Sequence, residues 1–502
     1  TGLGPPFDHS LTFDSEFESG NLYRVIQVSD AQYDLVLRAD VHTVGHTQWF
    51  YFGVSNTHPP ELVKLYDQGV VIPPVRVKFN IINFTKPDSL FNLGMRPVVY
   101  SVRESVERGV GWVRSGSEIS YYVNNYTRNN NAGEGVGYYY TLSFTMEFTH
   151  AKDTVLIAYS YPYTMTDYKA HIEEIMDNHA NTHLIKRLKL CTTLGGEDCD
   201  LLVITDFKEK EKVGPISLPS MSEWGGLDDS AQNNNFTSAT LSAPSSSFIP
   251  SNMSTNSNLM SVTGSNKMKT KDKQEKYRQG AYKPALFISG RVHPGETPAS
   301  WMMKGILDFL VSSSPSATML RKLYVIFIVP VLNPDGVICG NNRCSLAGVD
   351  LNRQWRTPDK SLHPTIYHLK VFMTLQKKLR DVSMFIDLHG HSRKYNVFMY
   401  GCDDKKKPNK TVRNFPKFMS SHNIGGKYVC FEDCSFHVKK GRESTARVVV
   451  AKDMCIPHSY TLEATFCGVS MGPLRGAHMN IGHLLEVGGA LCDAICKYTL
   501  SA

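Results

Sequence analysis

No stretch of the 502-residue chain approaches the ~18 consecutive apolar residues that a membrane-spanning helix needs, so no segment is expected to cross a bilayer. The opening TGLGPPFDHS has neither the basic nor the apolar part of a secretory signal. An initiator Met is also missing, as expected of a fragment excised from a longer chain. Cysteine is sparse and unpatterned: 11 residues, an odd number that cannot all pair. That usage fits a reducing compartment, and the expected location is the cytoplasm. Sequons at Asn83 and Asn125 carry no meaning there. Paired zinc-finger spacings and an aromatic ribonucleoprotein signature are both absent, so no nucleic acid and no membrane is expected as a partner. The formal charge of +7 then favours an acidic polypeptide, through long-range attraction. Nothing in the sequence bears on oligomeric state.

What is present is a chain 41% hydrophobic and long enough for two domains. Up to about residue 165, runs such as QWFYFGVSN, VRVKFNIINF and YYYTLSFTMEF are β-branched and aromatic with partial alternation. They predict an N-terminal β-sandwich over 1–165, without a cluster of catalytic residue types and therefore supporting in role. DYKAHIEEIMDNHANTHLIKRL then turns to helical spacing. From 166 to 502 apolar strands (DLLVITDF, LFISGRV, YVIFIVPVLN, MFIDLHG, SYTLEATF) mix with helical segments, which predicts an α/β domain: a mixed sheet flanked by helices. A Ser/Asn-rich and then Lys-rich segment over about 208–282 interrupts it; its composition cannot repay the entropy of ordering, so a disordered insertion is expected.

Candidate chemistry gathers where those strands end. In GRVHPGETPASW, His293 and Glu296 lie on a strand-to-helix turn, with Thr297 as a suitable N-cap and Pro298 in the first turn. Imidazole nitrogen and carboxylate oxygen are both zinc donors, and a catalytic zinc takes three protein ligands. His-x-x-Glu alone is equally well explained as a turn His and a capping Glu. MFIDLHGHS supplies a third donor, His389, with His391 as its rival. Asp350 is a candidate for the outer carboxylate that orients a ligand imidazole, or else a turn Asp ahead of Asn352. Glu463 stands inside the strand SYTLEATF, where an unpaired buried carboxylate is costly unless a metal or cation answers it; a solvent-facing edge strand is the plainer account. Arg343 and the Asn352-Arg353 pair add groups suited to a carboxylate or an oxyanion.

Taken together, HPGE, LNPDGV, DLNRQW, DLHGHS and SYTLE resemble the zinc carboxypeptidases of the M14 class. RVHPGET, NNRCSLAGVDLNRQW, HGHSRKYNVFMYGC and RESTARVVV, with FESGNLYRV and HTQWFYFGV in the front half, are similar to the cytosolic subfamily and its polyglutamate-shortening members. The resemblance implies one zinc ion held by His293, Glu296 and His389, with Asp350 behind the first His. It implies Glu463 as general base, Arg343 at the scissile carbonyl, and Asn352 with Arg353 on the substrate's terminal carboxylate. Arg447 falls near the position that selects the terminal side chain, where a cation suits glutamate, and Lys452 is a second candidate. The implied activity is removal of C-terminal glutamates from polyglutamate tails, as on tubulin. One departure stands out: digestive members use a mobile tyrosine ahead of the catalytic Glu, and here no Tyr occurs between Tyr428 and Tyr460. Two other readings share much of this pattern, a metal-dependent deacylase of N-acyl amino acids and a catalytically dead tubulin-binding module.

Overall fold

The computed structural model describes residues 9–129, 136–216, 282–403 and 409–501. Most of the expected insertion, 217–281, lies outside them. Residues 208–216 are described and include a short helix at Lys210–Val213. Two buried hydrogen bonds from Arg380, to Val213 O (2.7 Å) and Lys283 O (3.3 Å), hold both margins of that gap.

In the front half, two five-stranded sheets face each other. Strand alternation sends Leu35, Phe79, Ile81 and Phe144 of one sheet inward against Phe52, Val54 and Ile157 of the other, forming a single apolar core. Phe52 meets Phe79 edge-on across it, ring centroids 6.3 Å apart. The all-β expectation omitted two short helices, Pro60–Asp67 and Val102–Arg108. The second is explained locally, since Ser101 caps its start and Gly109, with φ of 67°, ends it.

The second half is built on a seven-stranded sheet in the spatial order Ile185–Thr192, Asp198–Ile204, Val325–Val329, Ala285–Gly290, Val382–His391, Ser459–Thr465, Val397–Tyr400. Its four central strands are parallel, with an antiparallel hairpin at one edge and an antiparallel strand at the other. DYKAHIEEIMDNHANTHLIKRL is therefore only half helical: the helix Met165–Asp177 stops at Asn178, whose ψ of 106° leaves the helical region, and IKRL enters the edge strand. Alternation along Ala285–Gly290 turns Leu286 and Ile288 to one face, in the core shared with the helices Thr297–Val311 and Ile481–Ser501. Phe287 turns to the other, where it packs with Phe327 and with Phe372 of the helix Pro364–Leu379. A sheet covered on both faces is why these strands read as continuous apolar runs. The two helices on the first face cross closely through glycine: a Cβ on Gly488 would meet the Met302 carbonyl, and one on Gly305 that of Leu485.

Chain order places Ala285–Gly290 between Val325–Val329, which follows it, and Val382–His391, which comes later on its other side. The connections diverge there, leaving a crevice at the carboxyl ends of these strands. No helix among the described residues is long and apolar enough to cross a membrane, and none of the cysteines is in a disulfide.

Candidate active site

The turn after Gly290 is held from inside. Arg291, with φ of 54°, is buried and donates to Pro294 O (2.6 Å), Tyr163 O (3.0 Å) and Ser300 Oγ (2.7 Å). Gly295 lets the loop at Asn342 approach: its N–H donates to Asn342 O at 2.8 Å, and a Cβ would lie 2.8 Å from Asn342 Oδ1. Glu296, not Thr297, occupies the N-cap position of the helix, and no side chain caps it. The Glu296 carboxylate is turned to the histidines instead.

His293 Nδ1 lies 2.8 Å from Glu296 Oε1, and His389 Nδ1 lies 2.8 Å from Glu296 Oε2. Each ring's other nitrogen meets an aspartate, His293 Nε2 at 3.0 Å from Asp350 Oδ1 and His389 Nε2 at 2.7 Å from Asp387 Oδ2. A neutral imidazole has one N–H, and the aspartates take it. With neutral rings both Nδ1 lone pairs then face carboxylate oxygens, acceptor against acceptor, so the cluster calls for positive charge, from a metal ion between the donors or from a second proton on each ring. The three donors lie within 4.8 Å of one another and are largely buried. Two imidazoles, each backed by a carboxylate, plus a Glu oxygen suit zinc in donor type and number.

The electrostatics show the same demand for positive charge: burial lowers both imidazoles, but the carboxylates around them outweigh it and raise them above their ordinary value. Burial raises the Glu296 carboxyl, but His293 and His389 outweigh it and hold it well below the usual range. Asp350 is likewise held down, by His293 and Arg343 against its own burial. Asp350 also accepts from Asn352 N (2.9 Å) as the cap of the turn Leu351–Arg353, so both sequence-based roles coexist in one side chain. Asp387 went unnoticed in the sequence, although it lies two residues before His389 on one strand and hence on the same face. Ser289, its register partner on the next strand, donates to it at 2.7 Å.

Parallel pairing of Val382–His391 with Ser459–Thr465 sets Glu463 directly beside His389. Burial pushes the Glu463 carboxyl up to about 7, against the pull of His389. His391 also lines the cavity, but its Nδ1 accepts from Lys394 N at 3.0 Å, and it is not in the three-donor group. Asn352 Oδ1 accepts from Ala446 N (2.9 Å), tying the Asn352-Arg353 turn to the helix that carries Arg447. Arg447 hydrogen-bonds Gly401 O and Cys402 Sγ, and its guanidinium lies 5.7 Å over the Tyr400 ring. Lys452 is not brought to the cavity: it is exposed, five residues and so about 140° further round that helix.

These groups line one cavity of about 640 Å³. Arg343, Arg353, Arg393, Lys439, Arg442 and Arg447 come from the α/β half, Lys86 and Arg128 from the sandwich, against Glu296, Asp350 and Glu463. The sandwich reaches further still. Asp40 accepts from the backbone N–H groups of Asn342 (2.6 Å), Arg343 (2.7 Å) and Cys344 (2.7 Å). The Arg343 side chain then meets Asp350, Nε at 2.8 Å and Nη2 at 2.6 Å. Neither Asp40 nor Lys86 carried a signal in sequence, each being about 300 positions from the loop it contacts.

Comparison with known proteins accords with this geometry. A zinc carboxypeptidase family model matches residues 217–429, and a cytosolic carboxypeptidase N-terminal domain model matches 13–67. Cytosolic carboxypeptidase 1 of Danio rerio is 37% identical over 97% of this chain and 37% of its own length. This chain belongs to the cytosolic carboxypeptidases, a branch of the zinc carboxypeptidases. Cytosolic carboxypeptidase 4 of Mus musculus is 38% identical over 96% of the chain and 38% of its own length. The chain thus spans little more than a third of the curated relatives it matches. The metallo-carboxypeptidase of Burkholderia cenocepacia shares the fold, with a TM-score of 0.63 at 19% identity over 98% of this chain and 99% of that one. That of Pseudomonas aeruginosa does so at 0.60 and 18%, over 97% and 99%. Membership implies a zinc cofactor. The family-model match ends before Arg447 and Glu463, so those two rest on the pairing and packing described above.

Proposed function

We propose that this chain is a cytosolic zinc metallocarboxypeptidase that removes glutamates from the C-terminal ends of polyglutamate chains, such as those on tubulin tails. The observation that carries the reading is the cavity itself: eight Lys and Arg side chains surround a buried His-Glu-His cluster, while two of its three carboxylates are already committed. A cavity so charged favours an acidic chain end. Asn352 and Arg353 hold the terminal carboxylate, which restricts cleavage to the last residue. Arg447 faces the terminal side chain and selects glutamate. Arg343, anchored on Asp350, stabilises the negative charge that develops on the scissile carbonyl oxygen.

His293, Glu296 and His389 hold the metal, and zinc bound there supplies Lewis acidity. Glu463 accepts the proton of the attacking water and delivers it to the departing amine; a carboxyl shifted toward neutrality suits both transfers. The test is glutamate release from a peptide with a polyglutamate end, by wild type and by Glu463→Gln. Equal release by both would sink the assignment of the base.

A further inference from the structure

The sandwich contributes more than support to the cavity wall. Lys86 follows the strand Val75–Phe84 and is fixed at its backbone, since Tyr121 Oη donates to Lys86 O at 2.5 Å. Tyr121 is itself stacked on Tyr140, ring centroids 5.7 Å apart. From this anchored position Lys86 Nζ makes a single long contact, 3.5 Å to Ser392 Oγ, and it has no carboxylate partner among the described residues. Arg128 lies next to it, its guanidinium spent on the carbonyls of Thr85 (3.5 Å) and Tyr138 (3.4 Å) and on no described carboxylate. A half-buried ammonium with no counter-charge in contact is incompletely satisfied, and an anion entering the cavity beside it relieves that cost.

Position narrows the choice of anion. Arg447 stands with Tyr400, Gly401 and Cys402, tied through Ala446 to Asn352. None of these contacts reaches Lys86, which lines the same cavity beside Ser392 and feels the charges of Arg343, Glu296 and Arg393. Arg343, assigned above to the scissile carbonyl, is what links the two regions, since its charge is felt at Lys86 and not only at Asp350.

We propose that Lys86, with Ser392 and Arg128 beside it, forms a second carboxylate subsite that takes the acidic side chain of the residue upstream of the cleaved bond. The inference rests on the exopeptidase reading and adds to it: two successive acidic residues are read, the second by the sandwich. Burial, the leading influence, lowers the Lys86 ammonium to about 8, as a cation awaiting an anion would show.

The test measures binding, so that it does not depend on turnover. Peptides of equal length ending in Glu-Glu or Gln-Glu are titrated calorimetrically into the zinc-loaded Glu463→Gln protein, with and without Lys86→Met. The variant is expected to weaken the Glu-Glu peptide by about tenfold and the Gln-Glu peptide by less than about twofold. Lys86→Arg, which keeps the charge, is expected to retain the preference. Equal weakening of both peptides, no weakening of either, or failure of the peptides to bind would overturn the subsite. Absence of glutamate release by wild type would overturn the exopeptidase reading separately, leaving the binding ratio to judge Lys86.

Discussion

Asp40 of the β-sandwich accepts the backbone N–H of Arg343 at 2.7 Å, and the neighbouring N–H groups of Asn342 and Cys344 converge on the same carboxylate. The loop that carries Arg343 into the cavity is therefore pinned by a residue from the other half of the chain, and three donors on one buried carboxylate leave it little freedom. Asp40→Ala is expected to lower kcat/KM by about a hundredfold, the cost of misplacing a positioned group by about an ångström. Asp40→Asn, which keeps one acceptor oxygen, should lose less. Combining Asp40→Ala with Arg343→Ala should add little to Arg343→Ala alone, because both remove one function. Additive losses in steady-state kinetics would show that Asp40 acts otherwise.

Asp387 and Asp350 each orient one of the two imidazoles. Asp387→Asn should weaken zinc by about 10–100-fold, measured by competition with a chromophoric chelator, since the amide cannot fix the His389 ring as the carboxylate does. Unchanged affinity would mean that the Asp387 contact does not govern the ring.

Arg447 is the specificity test. Arg447→Gln should cost far more on a terminal Glu than on a terminal neutral residue, with a relative change of about tenfold or more. A uniform loss across both peptides would move the side-chain pocket elsewhere in the cavity.

Acid stability offers a check far from the centre. Asp493 accepts from Ser316 Oγ (2.5 Å), His422 Nε2 (2.9 Å) and Lys497 Nζ (2.8 Å). Burial raises its carboxyl, but these partners outweigh it and lower it below the ordinary value. A carboxyl lowered on folding stabilises the protein above its unfolded pKa of about 3.9 and loses that contribution as pH falls through the folded value. Asp493→Asn should then cost about 1–3 kcal/mol near pH 7, with the gap from wild type closing only below about pH 4. Urea titrations across that range decide it.

Packing of the helices gives a fifth expectation. Gly488→Ala puts a methyl group against the Met302 carbonyl, and the helices must separate. A loss of about 1–3 kcal/mol is expected in thermal or urea unfolding.

How much was legible before the structure follows the distance over which each signal acts. His293 and Glu296 share one turn, and His389 closes one apolar strand, so local pattern made them candidates, and the family resemblance singled them out from a capping Glu and from His391. Glu463 was noticeable because a carboxylate inside a strand is expensive, but only the pairing beside His389 tells it from a solvent-facing edge residue. Asp387 was within reach of the same alternation and was passed over. Lys452 was misjudged because nearness in sequence does not specify a helix face, and Ile185–Thr192 because amphipathic spacing persists past the point where Asn178 leaves the helix. Asp40 and Lys86 act across the fold, and nothing local marks them.

The strand bearing Glu463 runs straight into Phe466 and Cys467, which belong to the core of the sandwich. Phe466 packs edge-on to Tyr159, ring centroids 5.1 Å apart, and its carbonyl accepts from Arg114 at 2.6 Å. Recombination that exchanged the front half for another β-sandwich would leave that ring and carbonyl without their fitted surroundings, three residues from Glu463. The two halves are thus expected to be inherited as one piece, and a graft between relatives should work only when Tyr159 and Arg114 travel with Phe466.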